Sequence, residues 1–230
     1  PQVELVSLFE TNASFPLIKD NFDGTNNYLT PKISLRFNPS DMKNNSSSSH
    51  QVDAGNIFSL NRLGLSDTFE SGRSLTLGLD YKREFTSFKN DDEKQNLDDI
   101  NNFFEFKLAT VFRDKIENNI STSSTLNRKN SNLFGSMTSK LNNNFELGYD
   151  FSIDNDLNTF EYNDISATFQ FSNLKTTFNF IEENGEKGNS NIFENSIAYE
   201  LDNNNSLTFK TRRNRKINLT EYYDLVYEYK

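Results

Sequence analysis

Cysteine and tryptophan are absent from this chain of 230 residues, histidine occurs once and proline four times. Without cysteine there is neither a disulfide framework nor a thiolate metal site, and the redox compartment stays open. Long apolar runs are missing as well. No stretch approaches the roughly 20 residues of a membrane-crossing helix, which excludes insertion as a helix. Excess positive charge is lacking too: 24 Lys and Arg face 33 Asp and Glu, a net charge of −9 that argues against a nucleic-acid partner. The opening "PQVELV" carries no signal-peptide pattern and already reads as strand, so a fragment or processed piece is expected.

Hydrophobic residues make up 34% and asparagine fills about 35 positions, a composition that by itself suggests disorder. Yet 22 Phe and 9 Tyr are present, and disordered chains are poor in aromatics. The ordering signal is a period of two. In "RSLTLGLDYKR" (73–83) Leu75, Leu77, Leu79 and Tyr81 alternate with Thr76, Gly78, Asp80 and Lys82. "NFELGYDFSID" sets Phe145, Leu147, Tyr149, Phe151 and Ile153 against Glu146, Gly148, Asp150 and Ser152. The same alternation runs through "DISATFQF", "LKTTFNF" and "YYDLVYEYK", with less regular versions near 3–12, 28–38, 102–112, 132–141, 191–201 and 205–213. No 3.6-residue period competes. The chain is therefore read as all-β, with about eleven strands.

Strands of about ten residues exceed the usual length in globular sheets and match what a tilted strand needs to cross a bilayer. Charges such as Asp80, Lys107, Glu146, Asp150 and Lys210 fall inside strands on the non-apolar face, as a wet lumen permits. Tyr81, Phe112, Phe145, Tyr199, Tyr223 and Tyr229 fall toward strand ends, where an aromatic girdle sits. Short polar turns at 142–144, 172–173 and 202–204 alternate with longer connections, among them 38–56, 89–99, 113–132 and 182–190. Together these predict an antiparallel up-and-down transmembrane β-barrel, of which this chain supplies an incomplete sector. Up-and-down connectivity puts the three short turns at one end, facing the periplasm.

Single residues add little chemistry. His50 lies in a serine-rich loop without a nucleophile-elbow sequence, so no catalytic residue is expected. The acidic runs at 91–93 and 98–99 lack the spaced oxygen ligands of an EF-hand loop, and no metal or other cofactor is expected. Arg212, Arg213, Arg215 and Lys216 form the one dense basic patch: either an ordinary charged turn or a set of contacts to lipid phosphates at the barrel rim. Pro16 and Pro31 each mark a strand start, an edge or a bulge and are expected near the rim.

Three segments carry a resemblance to a known family. "YLTPKISLRFNP" (28–39) places Pro31 in a Leu-x-Pro-basic strand core. "NIFSLNRLGLSDTFESGRSLTLGLDYKRE" (56–84) presents Asn61, Arg62, Gly64, Asp67, Glu70, Gly72 and Gly78 as a loop stepping into a Thr-x-Gly strand. "NRKINLTEYYDLVYEYK" (214–230) forms a closing strand. These resemble LptD, the lipopolysaccharide-assembly outer-membrane proteins. The chain departs from that pattern at Thr68, where the family commonly has Arg, and in compressed spacing around Gly64. The resemblance implies one very large barrel after a periplasmic jellyroll, with a lipoprotein plug inside and a lateral seam between first and last strands. All of 1–230 would belong to that one barrel domain, in its middle-to-late strands. The implied partners are lipopolysaccharide, outer-membrane lipid, the plug lipoprotein and periplasmic transport-bridge proteins, in a Gram-negative outer membrane, with no enzymatic step. A diffusion porin or other transporter barrel, and a secreted soluble β-rich surface protein, stay open as alternatives.

Overall fold

The computed structural model describes residues 6–22, 24–85 and 102–229. Its strands are β1 (Phe9–Ser14), β2 (Leu17–Asp20), β3 (Thr25–Asn38), β4 (Gly72–Phe85), β5 (Asn102–Arg113) and β6 (Leu133–Asn142). They continue as β7 (Phe145–Ile153), β8 (Phe160–Phe171), β9 (Leu174–Glu183), β10 (Ser190–Glu200), β11 (Asn205–Asn214) and β12 (Leu219–Tyr229). All pairings are antiparallel and follow chain order, in one sheet. β1 and β2 both pair with β3, so twelve strands occupy eleven lanes. Alternation thus predicts the lanes correctly; for the first, expected near 3–12, the described strand runs over 9–20, and residues 3–5 lie outside the described ones. Among the described residues β12 does not pair with the first lane, so the sheet is an open sector of a barrel wall.

Register keeps the two faces chemically apart. Leu29, Tyr81, Phe106, Met137, Tyr149, Ile165, Phe180 and Phe193 lie side by side across eight neighbouring strands. One residue over, Thr30, Asp80, Lys107, Ser136, Asp150 and Asp164 form the facing polar row. Because side chains alternate across a strand, one row defines an apolar outer face and the other a polar inner face. The outer face stays bare: Leu77 is 40% exposed and Leu225 66%. Inner charges pair along the sheet, Lys32 with Asp80 and Lys107 with Glu105.

The predicted position of the prolines needs correcting. Pro31 is mid-strand in β3, not at the rim, and its carbonyl accepts the Phe15 N–H at 3.0 Å. In an antiparallel strand a residue's N–H and C=O point to the same neighbour, so the missing donor of Pro31 faces the first lane. There the chain breaks at Phe15–Pro16, which is why β1 and β2 are separate. The aromatic ends are partly as expected. Phe145 opens β7, and Phe112, Tyr199 and Tyr229 close or nearly close their strands, whereas Tyr81 and Tyr223 lie inside β4 and β12.

The connections sort by end. Turns 143–144, 172–173 and 201–204 share one end, while 39–71, 114–132, 154–159, 184–189 and 215–218 share the other. Phe85 pairs with Asn102, so the connection 86–101 leaves from the short-turn end, an exception to the alternation of lengths. Its residues, including the acidic runs at 91–93 and 98–99, lie outside the described ones.

Buried apolar packing collects at the long-loop end. Met42, Val52, Ile57 and Leu63 come from loop 39–71, and Ile120 and Leu126 from loop 114–132. They meet Ala109 and Val111 of β5 and Phe134 of β6. The two loops therefore fold down onto the inner face and build a core there.

Candidate functional site

Loop 39–71 is shaped by its own short polar side chains. The Asp53 carboxylate accepts N–H groups of Gly55 and Asn56 at 2.7 and 2.9 Å, an Asx turn. Asn61 closes the next turn from both ends: it accepts the Leu65 N–H at 2.8 Å and donates to the Leu65 carbonyl at 2.7 Å. Gly64 completes this turn at φ +63°, with the His50 ring against it where a side chain would stand. The turn aims Arg62 down at the inner wall.

Arg62 there meets Glu70, and both are buried. Its Nε and Nη2 grip the two carboxylate oxygens at 2.7 Å each, a bidentate fork. Its remaining donors reach Thr76 at 2.8 Å and Ser74 at 2.9 Å on β4. Glu70 also accepts from Arg36 of β3 at 3.0 Å and from Arg113 of β5. Arg36 pairs in addition with Glu10 of β1 at 2.7 Å. One loop carboxylate is thereby tied to three neighbouring lanes, and through Arg36 to a fourth. Burial pushes the Glu70 carboxyl up, but Arg62, Arg113 and Arg36 outweigh it and hold it at about 2.

Further links run across the inner face. Gln51 donates to Glu183 at the end of β9 at 2.8 Å and to the Lys187 carbonyl at 3.2 Å. Lys187, itself buried, donates to the Val52 carbonyl at 3.0 Å and stands 4.8 Å from the Phe134 ring centre. Burial lowers this ammonium to about 8, against the opposing pull of Asp53, Glu161 and Glu183. Ser121 and Ser123 of loop 114–132 both donate to the Ser48 carbonyl, and Arg128 meets Glu186 at 3.3 Å. A loop leaving β3 thus touches β9, six lanes away, which requires the sheet to curl toward its polar face. The three loops form a roof under which the inner wall is enclosed.

The remaining motif positions serve this roof. Gly78 lies beneath Phe58, whose ring atoms come within 2.6 Å of where a Cβ would be. Gly72 starts β4 at φ +84° beside the Arg113 guanidinium. Asp67 pairs with Lys43 at 2.8 Å on the surface, and the Thr68 hydroxyl accepts the Lys43 N–H at 3.1 Å. Pro31 stands apart on the outer face. The basic patch divides: Arg212 turns inward to Glu194 at 2.8 Å and Glu221 at 2.7 Å. Arg213 and Arg215 sit at the outer-face rim, Arg213 donating to Asn218 at 2.6 Å and Arg215 lying 5.9 Å from the Phe180 ring centre. Lys216 is exposed at the turn tip. Among the described residues no group of carboxylates and histidines is arranged to hold a metal ion.

A family model described as LptD, LPS transport system D, matches residues 3–212. The chain belongs to the LptD family. No curated protein matches it. Within this LptD-family wall, the motif residues Arg62 and Glu70 are the centre of the roof's anchor. Arg36, Arg113, Glu10 and Lys187 complete the site and escape a motif reading. For Arg36 and Arg113 the signal was strand parity: both fall on the polar face of their strands, Arg36 directly across from Glu10.

Proposed function

We propose that this chain forms a middle-to-late part of the wall of one outer-membrane barrel that inserts lipopolysaccharide into the outer leaflet. The family match supports a role in lipopolysaccharide transport, and the division of faces carries the finer reading: an apolar belt for lipid outside and a polar row for sugars inside, running from Thr30 of β3 to Asp164 of β8. The wall guides and does no bond chemistry. A lipoprotein plug and periplasmic bridge proteins are the partners this reading implies. Arg213 and Arg215 at the outer-face rim are the members of the basic patch suited to lipid phosphates, whereas Arg212 is consumed by two carboxylates.

A loop folded onto the inner face also suits a porin, which constricts its lumen in that way. The match to the LptD family favours the lipopolysaccharide reading over it. The test is a photo-crosslinking amino acid placed at Ser136 or Asp150 on the inner face of the full-length protein in growing cells. Crosslinks to lipopolysaccharide are expected at both positions. Their absence, together with open-pore ion conductance in planar bilayers, would replace this reading with the porin.

A further inference from the structure

Directly behind the Glu70 anchor, on the opposite face of the same strands, lies an unassigned groove. It encloses about 630 Å³ at the long-loop end of β3 and β4. Leu35, Leu75 and Phe112 form its floor, and the stacked rings of Phe9 and Phe37, 6.4 Å apart, wall one side. Arg73 stands at its mouth, its guanidinium 5.1 Å from the Phe37 ring centre.

Arg73 differs from the arginines behind it. Arg36, Arg62 and Arg113 are bound to carboxylates on the inner face, but Arg73 has no ion pair and no side-chain hydrogen bond among the described residues. Asp114 beside it is engaged with the Arg73 backbone N–H at 3.4 Å. An aromatic ring under a guanidinium orients the fork and leaves its N–H edge open to an anion. The groove thus presents an apolar channel over Leu35, Leu75 and Phe112 that ends in one planar cation with no ion pair among the described residues. That is the complement of an amphiphile with acyl chains and a phosphate at their head.

We propose that this groove holds one phosphorylated lipid of the surrounding leaflet. An acyl chain lies over Leu35, Leu75 and Phe112, and a headgroup phosphate sits on Arg73. The occupant is lipopolysaccharide already inserted, not cargo in transit. This choice rests on the reading above, in which the long-loop end faces the outer leaflet. A free phosphate would not need the apolar floor, and a protein partner would not need the cation.

The experiment purifies the full-length protein from outer membranes in mild detergent and counts lipids retained per barrel by native mass spectrometry. Heat-modifiable migration confirms that each variant is folded. R73A should retain lipopolysaccharide about tenfold less, the ratio expected for one lost charge-assisted hydrogen bond. R73K should keep part of the binding. R83A is the control: Arg83 also lies over an aromatic ring, 5.0 Å from Phe85, but at the short-turn end, and should match wild type. Equal retention by R73A and wild type overturns the proposal, as does Arg73-dependent retention of phosphatidylglycerol or of a protein alone. Inner-face crosslinks that persist while R73A changes nothing would leave the transport reading standing. Lost crosslinks with Arg73-dependent retention intact would overturn transport and keep the groove.

Discussion

Glu70 is the residue on which most depends. Glu70→Gln leaves Arg36, Arg62 and Arg113 facing one another with Glu10 on Arg36 and Glu117 near Arg113 as partial compensation, and removing one partner of a buried ion pair costs about 3–5 kcal/mol. The expected result is a large fall in the denaturant midpoint of the full-length barrel in vesicles. The sign of the acid response follows from the depressed carboxyl. With a folded value of about 2 against 4.5 ordinarily, its stabilisation is complete above about pH 4.5 and is lost as pH falls toward 2. Acid unfolding of wild type should show this loss, and Glu70→Gln should not. Gly78 offers a second residue-scale test. A methyl group there meets the Phe58 ring, so Gly78→Ala should expel Phe58 and expose loop 39–71 to protease, while Gly78→Ala with Phe58→Ala restores protection. Cleavage unchanged in the single variant would mean that the ring can step aside.

For a strand, the outcome of a substitution is set by the face it lands on. Phe209 is 40% exposed on the outer face of β11, and Thr208 lies beside it on the inner face. Phe209→Arg should cost about 2–4 kcal/mol if it lies near the bilayer midplane, with Thr208→Arg far milder, as read from folding into vesicles. On β4 the same contrast fails. Leu77 faces outward as its parity predicts, but Thr76 is not in a wet lumen; it is 1% exposed and bonded to Arg62. Arginine at either position is therefore severe. Ends of strands carry the sidedness. Single cysteines at Lys216 on one end and at Asn143 and Asn203 on the other test it in intact cells with a membrane-impermeant maleimide. Labelling is expected at 216 alone, and the reverse pattern would invert the barrel.

At the scale of the whole molecule, the roof braces the curl of this sector from inside. Ladder hydrogen bonds tie each lane to the next, and among the described residues it is the loops that tie β3 to β9. Lys187 is the far latch of that roof, and it carries a pH signature. Its ammonium has a folded value of about 8 against 10.5 ordinarily, so between these values the unfolded chain binds more protons. Stability contributed by this group therefore rises with pH across that window, and the full cost of burying the charge is present below about pH 8. Wild type should gain stability relative to Lys187→Met as pH climbs from 8 to 10.5, measured by unfolding at fixed denaturant. Parallel curves for the two proteins would show that the latch does not titrate.

Period-two alternation by itself determined the class, the number of lanes and, away from the register shifts at Lys140/Asn142, Ser152/Ile153 and Arg212/Arg213, the face of the strand side chains, because a strand's parity is a local property that burial on one face enforces. Turn chemistry likewise determined the chain order of the hairpins at 143–144 and 172–173. Only the tertiary structure decided what lies over the inner face. Arg36 and Arg113 reach Glu70 across 34 and 43 residues of chain, and Gln51 reaches Glu183 across 132. No local pattern encodes such a meeting, since it depends on how far the sheet curls and where two long loops come to rest. The same holds for Pro31, whose lost hydrogen bond matters only because the first lane breaks opposite it. Where neighbours in sequence set the environment, the residues could be read directly. Where a carboxylate is shared by three arginines, two of them from distant strands, the folded wall had to bring them together.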